Sequence, residues 1–134
     1  RDGRIEQWVP LDRVAHHVTD HNRDSVGIEL VNRGRWPDWL DSRNQQWEES
    51  YPEVQIEALI ALLKSLRPAL PALDGIAGHD QLDRRTLPAS DEASVEVRRK
   101  LDPGPRFPWQ QVREATGLVV MLENTAIEPE PEDE

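Results

Sequence analysis

Residues 52–67 constrain this chain more than any other stretch. Val54, Leu59, Leu62, Leu63 and Leu66, with Ile56 and Ile60 beside them, recur at helical spacing and form one broad apolar face. A helix with such a face must bury it on another layer of structure, and a sheet is the expected partner. The end signals agree. Pro52 suits a first helical position, Glu53 and Glu57 sit near the positive end, and Lys64 and Arg67 near the negative end. Pro68 and Pro71 then stop the helix.

The sheet has to come from elsewhere in the chain. Ser25-Val26-Gly27-Ile28-Glu29-Leu30-Val31-Asn32 is the best strand, β-branched and largely apolar, as a strand covered on both faces should be. Residues 4–9 alternate apolar and polar after an Asp2-Gly3 turn signal and read as the second arm of a hairpin. Asp74-Gly75-Ile76-Ala77-Gly78-His79 reads as a turn leading into a short buried strand. A second helix is expected from Pro108 through Trp109, Val112 and Ala115 to Gly117, a natural C-terminal cap. Residues 16–24 read as a polar loop. Residues 33–51, with three Trp and a Pro, form a long irregular connection of the kind that usually carries function. The sum is an α/β domain over residues 1–117, with a mixed central β-sheet flanked by helices and polar loops gathered at one end. Residues 118–134 read as an acidic, disordered tail.

Charge and residue types narrow the chemistry. The net charge is −10, of which six acids lie in residues 123–134, leaving −4 for the rest. An acidic body is a poor match for a nucleic-acid backbone. No run of eighteen apolar residues is present, so no span of a membrane is expected. With no cysteine, a metal must use His, Asp or Glu. The chain opens on Arg1-Asp2-Gly3-Arg4, without Met or a signal-like stretch, and reads as the middle of a longer protein.

Three elements could carry a reaction. A histidine at the end of a buried strand, as expected for His79, has its ring held by the backbone. Asp102 precedes Pro103-Gly104-Pro105, a stiff turn that removes two amide donors. Together they make half of a catalytic zinc site, or equally a capped turn beside a hydrogen-bonded core histidine. Glu29 lies inside an apolar strand, where burial would raise its pKa towards that of a general base and a nearby metal would oppose the shift. A solvated sheet edge is the other placement for it. His16, His17 and His21 form the third cluster.

Taken in order, Ser25-Val26-Gly27-Ile28-Glu29-Leu30-Val31-Asn32, Tyr51-Pro52-Glu53-Val54-Gln55-Ile56, Gly78-His79 and Arg99-Lys100-Leu101-Asp102-Pro103-Gly104-Pro105-Arg106-Phe107-Pro108-Trp109 resemble the type-2 family of zinc-dependent N-acetylmuramoyl-L-alanine amidases. That family is related to phage lysozyme-type amidases and peptidoglycan recognition proteins. The resemblance covers roughly residues 1–113. It implies that His79 and Asp102 are the second and third zinc ligands. It also implies that Glu29 acts on the attacking water and that Lys100 stabilises the oxyanion. Arg99 would face the stem peptide, or stand with Arg98 in a solvated charge run. His16 lies where relatives carry a Trp-His-Ala-Gly-like element lining the cleft, although His17 and Val18 depart from it. Residues 82–97 exceed the compact loop of the simplest relatives, and Ser90-Asp91-Glu92 looks like a helix start.

The family's first zinc ligand is a histidine on a strand before this hairpin, so it is expected outside this sequence, earlier in the protein or on a separate N-terminal chain. The reaction implied is hydrolysis of the amide between N-acetylmuramic acid and L-alanine in peptidoglycan or muropeptides. The alternative is a module that binds peptidoglycan without cutting it. Val31-Asn32-Arg33-Gly34 resembles envelope-facing members, so the periplasm or cell envelope is the expected location, with the cytoplasm as the alternative.

Overall fold

A computed structural model describes residues 1–18 and 20–121. Helix α1, Glu53–Ala69, is the predicted amphipathic helix. It runs two residues beyond Arg67 because Pro68, in its last turn, interrupts the hydrogen-bond ladder too late to break it, and Leu70 N–H closes the end on Leu66 O. Strand β1 is Gly75–Ile76, α2 His79–Leu82, β2 Thr86–Pro88, β3 Glu96–Arg98, α3 Trp109–Thr116 and β4 Val119–Val120.

Helices and strands mix as the α/β reading expects. Among the described residues the strands form two separate two-stranded sheets, β1 with β4 in parallel and β2 with β3 antiparallel. The layer that covers α1 is therefore largely helical. Ile56 is 1% exposed and packs with Leu59, Leu63 and Leu66 against Val112, Phe107, Tyr51 and Leu118. The two helices are also joined at their polar ends. Gln111 Nε2 donates to Glu53 Oε2 at 2.8 Å, and Arg67 Nη1 donates to Thr116 O at 2.7 Å. Gly117 caps α3 as predicted, with φ of +74° and its N–H on Arg113 O.

Several expectations shift. Residues 25–32 form no strand among the described residues, and Val26, Ile28 and Val31 are exposed. Apolar, β-branched composition favours an extended backbone, but a strand also needs a neighbouring edge. The segment is tied at its start by Ser25 Oγ donating to His21 O at 2.6 Å, and at its end by Leu30 at the core margin, Gln55 Nε2 on Val31 O and Asn32 Nδ2 on Glu49 O. Residues 4–9, expected as the second arm of a hairpin whose first arm is absent, form no strand among the described residues. Ser90-Asp91-Glu92 starts no helix and instead lies in the connection between β2 and β3. The packed body extends past residue 117, because Leu118 and Val120 are buried and β4 pairs with β1. The rest of the expected tail, residues 122–134, lies outside the described residues. No helix among the described residues is long and apolar enough to cross a membrane.

Candidate active site

His79 is not at a strand end. It is the first residue of α2, three residues after the end of β1, with Gly78 as the cap. The apolar, glycine-punctuated run 74–78 carries strand and turn signals together, and the short helix begins where the turn ends. This start is tied to the aspartate loop by the backbone, since Asp80 N–H donates to Asp102 O at 2.9 Å. The side chains follow: His79 Nδ1 stands 3.2 Å from Asp102 Oδ2, across 23 residues of sequence.

The loop holding Asp102 is rigid for reasons its neighbours supply. Tyr51 Oη donates to Pro103 O at 2.7 Å, and the Tyr51 ring meets Phe107 edge-on. Burial pushes the Tyr51 hydroxyl up to about 12, so it remains a donor at any physiological pH. Gly104 has φ of +83°, and a Cβ there would lie 2.5 Å from the Trp47 indole. A Gly104→Ala variant combines backbone strain with this clash and is expected to lose about 1–3 kcal/mol in urea unfolding. Unchanged stability would show that the turn relaxes freely.

Asp80 lies under the pair. Its Oδ1 is buried with no hydrogen-bond partner among the described residues, and burial pushes its carboxyl up to about 6 against the pull of Arg98. Arg98 Nη2 donates to Asp80 O and Asp83 O, bracing the backbone of α2 from β3.

A cavity of about 250 Å³ opens beside His79, lined also by Lys100, Arg99, His16, His17, Val18 and Asn22. His16 therefore borders this cavity. His17, Val18 and Asn22 join it because Asn22 Oδ1 accepts the amides of His17 and Val18 at 2.7 and 2.8 Å, folding the loop back on itself. Glu29 is exposed and is not among the residues lining this cavity. Its segment has no paired strand among the described residues, which leaves the side chain exposed rather than buried.

Arg99 lines the cavity while its Nη1 is held by Asp83 Oδ2. Asp83 is buried and also accepts from Arg85, from its backbone N–H at 3.2 Å and from its guanidinium at 3.0 and 2.8 Å. The Arg85 hydrogen bonds, with Arg99 behind them, hold the Asp83 carboxyl well below the usual range. A carboxyl pKa lower in the folded state contributes stability above the unfolded value, near 3.9, and loses it as pH falls through the folded value. Urea midpoints are thus expected to fall steadily below about pH 4. Asp83→Asn should remove part of that slope, and an identical slope in the variant would show that Asp83 is not responsible.

Two residues expected as metal ligands face each other. His79 and Asp102 present a nitrogen and an oxygen of the types zinc takes, on rigid backbone and within one coordination sphere of each other. Among the described residues no group of three or more His, Cys, Asp or Glu is placed to hold a metal ion.

The sequence alone did not single out Arg35, Trp39, Asp83 and Tyr51. The long tryptophan-bearing loop was the one available signal for the first two. Residues 90–91 pack onto that loop through Ser90 N–H on Leu40 O and through Asp91, which accepts from Ser42 N–H and Oγ.

The sequence model described as N-acetylmuramoyl-L-alanine amidase matches residues 1–105. The N-acetylmuramoyl-L-alanine amidase AmiD of Escherichia coli (strain K12) is 34% identical over 117 residues, 81% of this chain and 37% of the relative. The 1,6-anhydro-N-acetylmuramyl-L-alanine amidase AmpD of Enterobacter cloacae is 30% identical over 120 residues, 83% of this chain and 50% of the relative. The protein of the same description from Salmonella typhimurium (strain SL1344) is 30% identical over 127 residues, 88% and 54% of the two chains. The chain thus spans between 37% and 54% of the length of these curated relatives. Each carries the matched region within one longer polypeptide, which gives no support to a separate N-terminal chain. No solved structure matches the chain.

Proposed function

The chain belongs to the N-acetylmuramoyl-L-alanine amidase family, and on that premise we propose that the protein hydrolyses the amide joining the lactyl group of N-acetylmuramic acid to L-alanine in peptidoglycan or muropeptides. The observation that carries this reading is the convergence of His79, Lys100 and Arg99 at one cavity, with the Asp102 carboxylate 3.2 Å from the His79 ring.

His79 and Asp102 would hold zinc, with the remaining ligand from outside the described set. When bound, zinc supplies Lewis acidity that polarises the scissile carbonyl and makes water nucleophilic near neutral pH. The chain's own groups do the rest. Lys100 brings its ammonium group to the cavity, where the carbonyl oxygen gains negative charge as water adds. Asp102 stays oriented because Asp80 and Tyr51 fix the backbone on either side of it. Arg99, aligned by Asp83, offers its remaining donors to a stem-peptide carboxylate. His16 borders the same space and contacts the substrate from the opposite loop. Glu29 is assigned the proton of the attacking water. The lactyl C–N bond breaks, water oxygen stays on the lactyl carbon as a carboxylate, and a proton passes to the departing α-amine of L-alanine. The envelope is the compartment assigned, on the likeness of Val31-Asn32-Arg33-Gly34 to envelope-facing members. Fractionation with recovery in the cytoplasm would reverse that assignment.

Purified protein, assayed for zinc and incubated with sacculi, is expected to carry stoichiometric zinc and to release stem peptide with a new N-terminal L-alanine. Protein that holds zinc and retains sacculi, yet releases no peptide, would be a binding module instead.

A further inference from the structure

Lys100 has a neighbour that neither the family match nor the reading above gives a role. Its Nζ lies 5.8 Å from the centre of the Trp39 ring, within the range of a cation–π contact. The same ring carries a second cation, Arg35, with its guanidinium carbon 5.3 Å from the centre. Arg35 is only 8% exposed, and its donors are spent on the backbone that leads into Lys100: Nη1 on Arg98 O at 2.6 Å and Nη2 on Arg99 O at 2.9 Å. Gln45 closes the circuit. Its Oε1 accepts from Arg35 Nη1 at 2.9 Å, while its Nε2 donates to Trp39 O at 3.1 Å and Asp41 O at 2.7 Å.

The consequence is mechanical. The peptide units immediately before Lys100 hang on the guanidinium that also meets the Trp39 indole, and the Trp39 backbone is held by the amide that accepts from this guanidinium. From the other side, Ser90 and Asp91 grip Leu40 and Ser42. A lysine on a flexible four-carbon stem has many rotamers, and left alone its ammonium would spread through solvent. A braced aromatic face with a negative quadrupole selects the subset of rotamers that keeps Nζ over the ring. The same ring lies near both cations and attracts each of them.

We propose that Trp39, braced by Arg35 and Gln45, is a positioning residue that holds the Lys100 ammonium ready at the rim of the His79 cavity. The proposal rests on the amidase reading for its catalytic consequence and on geometry alone for the contact. Two separate readouts therefore test it.

The chain has two lysines, Lys64 and Lys100, so lysine-selective isotope labelling yields two resolvable side chains. The Lys100 ε-methylene protons are expected upfield of those of Lys64, by the ring current of Trp39, and Trp39→Leu should abolish the difference. With a soluble muropeptide, Trp39→Leu should lower kcat about tenfold and leave KM within about twofold. Trp39→Phe, which keeps an aromatic face, should restore most of kcat. In a Lys100→Met background, Trp39→Leu should cost almost nothing further, because its effect passes through the lysine.

A rise in KM at constant kcat would make Trp39 a substrate contact and overturn the proposal. So would a Lys100 signal indifferent to Trp39→Leu, or additive losses in the double variant. Wild-type protein that releases no peptide would sink the amidase reading and the catalytic half of the proposal with it. The ring-current shift would still report, in that case, that Trp39 holds Lys100.

Discussion

Lys100→Met should lower kcat for stem-peptide release by roughly 10²–10³-fold, the usual cost of losing one donor at a developing oxyanion. Methionine keeps most of the stem volume and the half-buried placement, so the cavity should retain its shape and KM should move little. Stability should be nearly unchanged, because the ammonium has no salt-bridge partner among the described residues and contributes a surface cation–π contact only. Lys100→Arg should recover only part of the loss, since the larger planar guanidinium cannot place one compact charge where the ammonium stands. The comparison is of kcat in the three proteins on one muropeptide. Equal kcat in wild type and Lys100→Met would remove the lysine from the chemistry.

His79→Ala should cost more. It removes one of the two candidate ligands the chain supplies, and with it the Lewis acidity worth several kcal/mol at the transition state, so activity should fall by about 10³-fold or further. Zinc measured after gel filtration should fall in parallel. The fold should tolerate the change, because His79 sits half-buried at the start of a four-residue helix and outside the core built by α1 and α3. Asp102→Ala should show the same pairing of lost metal and lost activity. A variant with full zinc and no turnover would place His79 in catalysis without ligation.

The two long helices were legible in the sequence because their signals are local. The apolar spacing of residues 52–67 and the Pro108 and Gly117 ends are properties of a dozen residues each, and tertiary packing only completed them. Residues 25–32 were misread as a paired strand because composition specifies an extended backbone without specifying a neighbour. Ser90-Asp91-Glu92 was ambiguous for a related reason: short polar side chains that cap helices satisfy turn backbones equally well. The site was legible by residue type and blind in space. Nothing in a separation of 23 residues shows that His79 and Asp102 meet; the Asp80–Asp102 backbone bond does that. Glu29 was chosen for its motif and for expected burial, and only the motif still supports it. Arg35 and Trp39 were invisible as partners of Lys100, because their contacts run between loops more than fifty residues apart.

The most direct test is the fate of one oxygen atom. Hydrolysis of a defined muropeptide in ¹⁸O-labelled water, followed by mass spectrometry of both products, identifies the bond cut and the nucleophile at once. The expected result is free stem peptide beginning at L-alanine and a muramic acid product bearing a single ¹⁸O in its lactyl carboxylate. Label in a peptide carboxylate, or an intact muropeptide recovered from protein that binds it, would contradict the reaction assigned to this cavity.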